Sequence, residues 1–494
     1  MRGRSAFASV IVLVTIAVSA LTAVPAAAGP QSCTKRNNDT ISKLLECVTL
    51  QGVREHQAAF QAIADANGGN RFSGLPGHDE SVAYVVERLE AAGYDPVVQP
   101  FDYLAFTQLG PSALEQTAPA QVTYTEGTDF GVISQSDPGD VTAAVTAVDL
   151  QLGLGNTSTS GCEASDFAGF PAGNIALLQR GVCTFELKAE NAAAAGALGI
   201  VIFNQGDTTD ASRQGIPAVT LTANNTSGIP VLGTTYALGA QLAGTPGLQM
   251  RVFANTFRET KTTYNVLAEL AGTDDSNVVM VGGHLDSVGA GPGINDNGSG
   301  SAAILDIAEA MRKVEPVNTV RFAWWGAEES GLVGSTFYVA NLTAEEQDDI
   351  ALYLNFDMIG SPNYVRFVYD GDGTIGPVGP AGSGAIEALF VDFYSDRGLA
   401  SEPTPFNGRS DYGPFIAAGV DIPAGGLFTG AEGIKTAAQV AVYGGTAGTQ
   451  YDPCYHQACD TFANNSNAVL DLNSDAIAFA TLTYAMDTSS VTGP

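Results

Sequence analysis

Between residues 277 and 356 short apolar runs alternate with helical periodicity, and this rhythm leaves few folds open. Residues 277–281 (NVVMV), 319–325 (TVRFAWW) and 351–356 (ALYLNF) read as strands. Residues 300–313 and 331–341 read as helices, with Ala303, Ile304, Ile307, Ala308 and Met311 on one face of the first. Strands alternating with helices build a mostly parallel central sheet flanked by helices, an α/β fold. Chemistry in such sheets gathers beyond the carboxyl ends of the strands. Those ends carry His284 and Asp286, then Glu328 and Glu329, then Asp357; Asp296 lies in the Gly-rich loop before the first helix. A solvated surface does not require that placement.

Upstream, residues 52–94 read as helical, with Val82, Val85, Val86 and Leu89 at helical spacing and Gly93 as the stop. A strand-like piece follows at 96–103. From about 121 to 253 the texture changes to short Val-, Ile- and Leu-rich runs broken by Gly, Asn, Thr and Pro, which suggests a separate β-rich domain. The length of 494 residues also calls for more than one core.

Arg2 and Arg4 precede an apolar run from Phe7 to Val24, and Ala26, Ala27 and Ala28 supply a cleavage site. With no basic stop-transfer flank, residues 1–28 read as a signal peptide and the chain as secreted, with no membrane association after signal removal. Six cysteines suit an exported chain. They allow 15 pairings, of which sequence proximity favours Cys33 with Cys47, Cys162 with Cys183 and Cys454 with Cys459. The net charge of −31 becomes two units more negative once Arg2 and Arg4 leave. Such a surface repels nucleic acid and anionic lipid.

His456, between Cys454 and Cys459, would be held rigidly by a disulfide and can join the acids as a nitrogen ligand. The donor count then suits two metal ions sharing one carboxylate. Of the adjacent Glu328 and Glu329, one can ligate while the other stays free as a base. Asp286, two residues after His284, is well placed to accept the other imidazole N–H. Taken singly these signals are weak: Glu-Glu pairs are ordinary surface charge, and Asp-Asn-Gly marks a turn. Their order along the strand ends makes the combination specific.

The stretches GGHLDSV (282–288), GINDNGSG (293–300), WWGAEESGLVGS (324–335), NFDMIGSPN (355–363), GRSDYGPF (408–415), IPAGGLFTG (422–430) and YDPCYHQACD (451–460) resemble the secreted zinc aminopeptidases of Streptomyces and aminopeptidase Y-like relatives. GNRFSGLPGHDES (69–81) resembles that family's first helical segment. The resemblance implies a zinc exopeptidase fold that removes residues from peptide and protein N-termini. It implies that His284 and Asp357 bind one zinc, Glu329 and His456 the other, and that Asp296 bridges both. A water between the two zinc ions would be deprotonated by Glu328, with Tyr455 stabilising the oxyanion. Arg409 and Phe428 would lie near the substrate, and a cis peptide would follow Asp296. Calcium is the further cofactor implied: Asp471 and Asp475 match its C-terminal ligand pair, no N-terminal aspartate matches its partner, and the same two acids also read as solvated charge on successive helix turns. Met358, Ile359 and Phe428 are the expected walls of an apolar side-chain pocket, with Gly425 and Gly426 leaving room, so bulky apolar N-terminal residues should be preferred.

SGCEASDFAG (160–169), NIALLQRGVCTFELKAENAAAAGALGIVIFNQ (174–205) and GIPVLGTTY (228–236) resemble the protease-associated domain. Cys162 and Cys183 match its cysteine pair, and Lys188 reads as structural. The expected organisation is a signal at 1–28, the N-terminal part of the peptidase at 29–110, the inserted domain at 111–255 and the main part of the peptidase at 256–494, acting as a monomer. Rival readings are a carboxypeptidase, which needs a basic cluster for a terminal carboxylate, a metal-free binding protein on the same fold, and a one-metal glutaminyl cyclase.

Overall fold

A computed structural model describes residues 33, 35–217, 219–222 and 225–493. The signal reading at 1–28 lies outside them. Among the described residues no helix is long and apolar enough to cross a membrane.

Two eight-stranded sheets organise the chain. The strands, in chain order, are β1 (Val97–Gln108), β2 (Ala113–Ala118), β3 (Val122–Thr123), β4 (Phe130–Val132), β5 (Gly139–Ala147), β6 (Ile175–Gln179), β7 (Gly199–Phe203), β8 (Val231–Thr234), β9 (Gln249–Ala254), β10 (Thr256–Leu270), β11 (Asp274–His284), β12 (Asn318–Trp325), β13 (Ile350–Phe356), β14 (Phe367–Tyr369), β15 (Glu402–Thr404) and β16 (Ala424–Phe428). The main sheet runs β1-β10-β12-β11-β13-β16-β14-β15. Its centre, β12-β11-β13-β16, is parallel, while β10 joins β12 and β14 joins β16 antiparallel. This is the α/β fold expected, with antiparallel flanks.

The central strands are apolar on both faces because both are covered. Val279, Val281, Phe322, Trp324, Leu352 and Leu354 pack with the helices Leu50–Ala66, Gly298–Met311 and Asn467–Met486. The alternate residues Val278, Met280, Ala323, Trp325 and Tyr353 pack with Tyr338 and Phe415. Each such side chain contributes about 1.5–3 kcal/mol by leaving water. The region read as helical resolves into Leu50–Ala66 and Pro76–Ala92. Thr49 caps the first by accepting the Gly52 amide at 3.1 Å, and Gly93, at φ 98°, ends the second.

β1 and β10 form a long hairpin, in register from Val97↔Leu267 to Gln108↔Thr256. The second sheet, β3-β2-β9-β5-β6-β7-β8-β4, grows from its tip. Arg258 on β10 pairs with Asp137 at 2.7 Å and donates to the Asn225 carbonyl at 2.9 Å, which ties the second unit to the hairpin. Helices Phe185–Ala194 and Tyr236–Ala243 accompany this sheet, so the unit is less purely β than its composition suggests. Lys188 is buried and donates to the Ser160 carbonyl, a structural role as expected. The three disulfides are Cys33–Cys47, Cys162–Cys183 and Cys454–Cys459.

Candidate active site

β11 ends on His284, β13 is followed by Asp357, and β12 leads through Gly326 and Ala327 to Glu328 and Glu329. Ala327 adopts φ 55°, and its amide donates to Ser73 Oγ at 2.7 Å, so the chain turns sharply off the strand end. Asp296 sits just before the helix Gly298–Met311. Its amide donates to Asp460 Oδ2 at 3.0 Å, and the peptide to Asn297 is cis. Asn297 accepts the Gly300 amide, capping that helix, and donates to the Phe356 carbonyl at 2.9 Å. The Cys454–Cys459 disulfide closes the turn that carries Tyr455 and His456.

These loops bring together the five residues expected as ligands. His284 Nε2 lies 3.2 Å from Asp296 Oδ1 and 3.4 Å from Asp357 Oδ1. His456 Nε2 lies 3.3 Å from Asp296 Oδ2 and 3.0 Å from Glu329 Oε2. Two triads therefore share Asp296. A metal bound at ~2.0–2.1 Å by tetrahedral ligands spaces those ligands about 3.3 Å apart. The four histidine–carboxylate separations, 3.0–3.4 Å, are near that spacing. His284 Nε2, Asp357 Oδ1 and Glu329 Oε1 are buried without a hydrogen-bond partner. Such atoms are costly in a folded protein unless something else satisfies them, and a bound cation would do so.

The electrostatics agree. Burial alone would depress His456, but Glu329 and Asp296 outweigh it and raise the imidazole to about 11. The acids thus require positive charge at this point, as a proton or a metal ion. Asp296 is held below the usual carboxylate range: burial opposes this, and the adjacent His284 and His456 imidazoles prevail.

Glu328 belongs to neither triad that shares Asp296, although its carboxylate reaches within 4.8 Å of the His284 and Glu329 donors. It is partly exposed on the wall of a cavity of ≈ 330 Å³. Burial raises its carboxyl well above the ordinary value; His284 opposes this, and Glu329, Asp411 and Asp357 add to it. Tyr455 also lines the cavity, stacked on His456 with ring centroids 3.8 Å apart. Burial, then Asp296 and Glu329, push its phenol up, so it stays protonated and able to donate.

The Asp286 expectation needs a correction. His284 Nδ1 bonds the Asp286 main-chain carbonyl at 3.2 Å, while the carboxylate stands 3.6 Å away. That carboxylate accepts the Glu328 amide at 3.1 Å, so Asp286 orients both the histidine and the Glu328 turn.

Residues 265–481 match peptidase family M28, and residues 141–242 match the PA domain. The chain is 54% identical over 449 residues to the aminopeptidase of Pseudomonas aeruginosa strain UCBPP-PA14, covering 91% of this chain and 83% of that one. The chain belongs to peptidase family M28. Leucine aminopeptidase 2 of Trichophyton equinum is 41% identical over 447 residues, 89% of this chain and 84% of its own. The aminopeptidase from Aneurinibacillus sp. strain AM-1 superposes with a TM-score of 0.70 at 26% identity, covering 90% of this chain and 95% of that one. This M28 peptidase is a metal-dependent aminopeptidase with an inserted PA domain.

The rest of the cavity modifies the substrate-site expectations for the M28 peptidase. Met358, Phe428 and Arg409 line it, and Arg409 pairs with Glu432 at 2.7 Å. Ile359 instead packs in the core. Met358 adopts φ 50°, which breaks strand alternation and sends the next side chain inward. Gly425 and Gly426 leave no pocket room: added Cβ atoms would meet Ile386 and the Asn355 carbonyl. Their role is close packing of β16. Sequence reasoning missed Tyr369, Thr404 and Tyr412, and also Ser134 and Thr220, which the PA unit contributes to the cavity wall. Asp471 and Asp475 lie a turn apart on Asn467–Met486 and join no three-residue ligand cluster among the described residues.

Proposed function

We propose that this enzyme is a secreted two-zinc aminopeptidase preferring bulky apolar N-terminal residues, with 1–28 as signal peptide and the monomer as working unit. The observation that carries the reading is the pair of triads sharing Asp296, with Glu328 outside both and on the cavity wall. His284 and Asp357 would hold one zinc and Glu329 and His456 the other, with Asp296 common to both triads. Mixed imidazole and carboxylate donors at tetrahedral spacing suit zinc. Bound there, zinc supplies Lewis acidity toward the scissile carbonyl and a more acidic attacking water. Glu328 would act as general base toward the attacking water and return the proton to the leaving amine. The Tyr455 hydroxyl donates to the oxyanion as it forms. Carboxylates around the metals favour the substrate's free ammonium, while Arg409, engaged by Glu432, offers a terminal carboxylate little. That weighs against the carboxypeptidase alternative.

The apolar preference is supported by Met358, Tyr369 and Phe428 on the cavity wall and by the leucine in the name of the Trichophyton relative. Burying a leucine or phenylalanine side chain there gains about 1.5–3 kcal/mol, roughly 10- to 150-fold in kcat/KM over glycine. In a panel of amino-acid amides, Leu, Met and Phe are therefore expected to lead Gly, Asp and Glu by that margin, with N-acetyl-leucine derivatives nearly inert. Preference for Lys or Arg would reject the pocket assignment, and efficient turnover of acetylated substrates would reject the aminopeptidase reading.

The unit at 111–255 contributes Ser134 and Thr220 to the cavity wall but none of the proposed zinc ligands. We read it as a lid. Replacing 111–255 by a short turn between β1 and β10 should alter selection among long peptides and leave small amides cleaved. Loss of small-amide turnover in a folded, zinc-loaded deletion would refute this.

A further inference from the structure

Behind the ligand cluster lies a buried cation. Arg71 is fully buried, and its guanidinium is spent on main-chain carbonyls. Nε donates to Pro292 at 2.9 Å, Nη2 to Gly293 at 2.6 Å, and Nη1 to Leu285. Leu285 stands between His284 and Asp286, and Pro292 and Gly293 open the loop that reaches Asp296. A second set of bonds joins the same loops. The Arg71 amide donates to Ser287 Oγ at 2.8 Å, the Ser287 amide donates to the Arg71 carbonyl at 3.3 Å, and Ser287 Oγ donates to the Gly291 carbonyl at 2.9 Å. The Phe60 ring lies 5.1 Å from the guanidinium carbon on another side.

This arrangement is unfavourable as mere packing. Desolvating a cation without a carboxylate in contact is expensive, and a well-packed apolar residue would avoid that cost. Burial lowers the guanidinium to about 10, with Asp286, Asp460, Asp296 and Glu329 opposing, so it stays charged at neutral pH. A fixed positive charge also repels incoming metal ions. What the guanidinium supplies in return is a planar fork that reaches three carbonyls on two loops at once, which a lysine ammonium cannot span.

We propose that Arg71 is a positioning residue that locks the His284 loop to the Asp296 loop and so sets zinc affinity and turnover without touching substrate. The inference rests on the reading of His284 and Asp296 as zinc ligands. It makes charge and geometry pull in opposite directions. Losing the charge alone should tighten zinc, whereas losing the fork should loosen it.

The test compares the native enzyme with Arg71→Lys, which keeps charge and loses the fork, and Arg71→Met, which loses both. Zinc release into a chromogenic chelator is followed, with kcat and KM measured per bound zinc. Both variants are expected to release zinc about 10–100-fold faster, the usual effect of losing a group that orients a ligand. kcat should fall and KM stay within twofold, since Arg71 does not line the cavity. A native-like Arg71→Lys beside a tighter-binding Arg71→Met would show that only the charge matters and overturn the proposal. A lowered melting temperature with unchanged zinc release would reduce Arg71 to a packing residue and overturn it equally. Should Arg71→Met not fold, Ser287→Ala probes the same lock with Arg71 in place: faster zinc release supports the proposal, and unchanged release overturns it. Failure of the ligand reading has a different signature, namely native protein that takes up no zinc.

Discussion

Glu328→Gln is expected to lower kcat by about 10²–10⁴-fold, the contribution of a positioned general base, while both zinc ions stay bound. The amide matches the carboxylate in shape, so the turn after β12 and its bond from the Glu328 amide to Asp286 should persist. Proton acceptance does not persist. Glu329 lies 3.0 Å from His456 in a triad that shares Asp296, whereas Glu328 joins neither such triad, although both carboxylates line the cavity. Glu329→Gln should instead weaken the second zinc, because a ligand oxygen loses its charge. Metal content per chain and single-turnover rates distinguish the two. A Glu328→Gln enzyme with one zinc fewer would make Glu328 a ligand and reverse the assignment. Unchanged kcat would require another base near the attacking water. KM should move little, because the lost interaction develops along the reaction rather than in the bound substrate.

How much of this was legible depends on whether a signal is local. His284 and Asp357 follow apolar runs buried on both faces, and such runs identify strands whose carboxyl ends are where ligands collect. Asp296 and the Glu328–Glu329 pair lie in the loops between those strands and the next helices, so the same logic found them. His456 lies far along the chain and became a candidate only because the acids needed a nitrogen partner. Beyond the strand end the sequence carries no such signal, and Met358 and Ile359 are not both pocket walls. Met358 turns with positive φ, so Ile359 faces the core. Gly425 and Gly426 suggested space, yet their hydrogens serve the approach of β16 to β13 and Ile386. Ser134 and Thr220 are ordinary polar residues, and nothing in their neighbourhood signals that a second unit folds back over the site. Arg71 precedes the carbonyls it holds by more than two hundred residues. No period or spacing reports a partner at that distance; only the resemblance of 69–81 touched it, and without a role.

Asp296→Ala should empty the site altogether. Asp296 is the one side chain common to both triads, with Oδ1 3.2 Å from His284 and Oδ2 3.3 Å from His456. Without it each zinc would keep two protein ligands, fewer than the three that a catalytic zinc ordinarily has. The loss should therefore be cooperative, with zinc per chain falling toward zero and turnover falling to background. Folding offers an independent readout. A ligand at 1,000 times its Kd stabilises the native state by about 4.1 kcal/mol, so added zinc should raise the melting temperature of the native enzyme and leave that of Asp296→Ala unmoved. The variant should still fold, because the loop is also held by Asp460, which accepts the Asn295 and Asp296 amides, and by Asn297 at the helix start. A folded Asp296→Ala protein that retained one zinc, with the matching half of its thermal shift, would mean that the two ions bind independently and that Asp296 serves only one. Asp296→Asn refines the answer. It keeps the shape and one neutral oxygen, so it should bind zinc more weakly than the native enzyme but more strongly than the alanine variant. Equal behaviour of the asparagine and native enzymes would show that the carboxylate charge is not what holds the pair together.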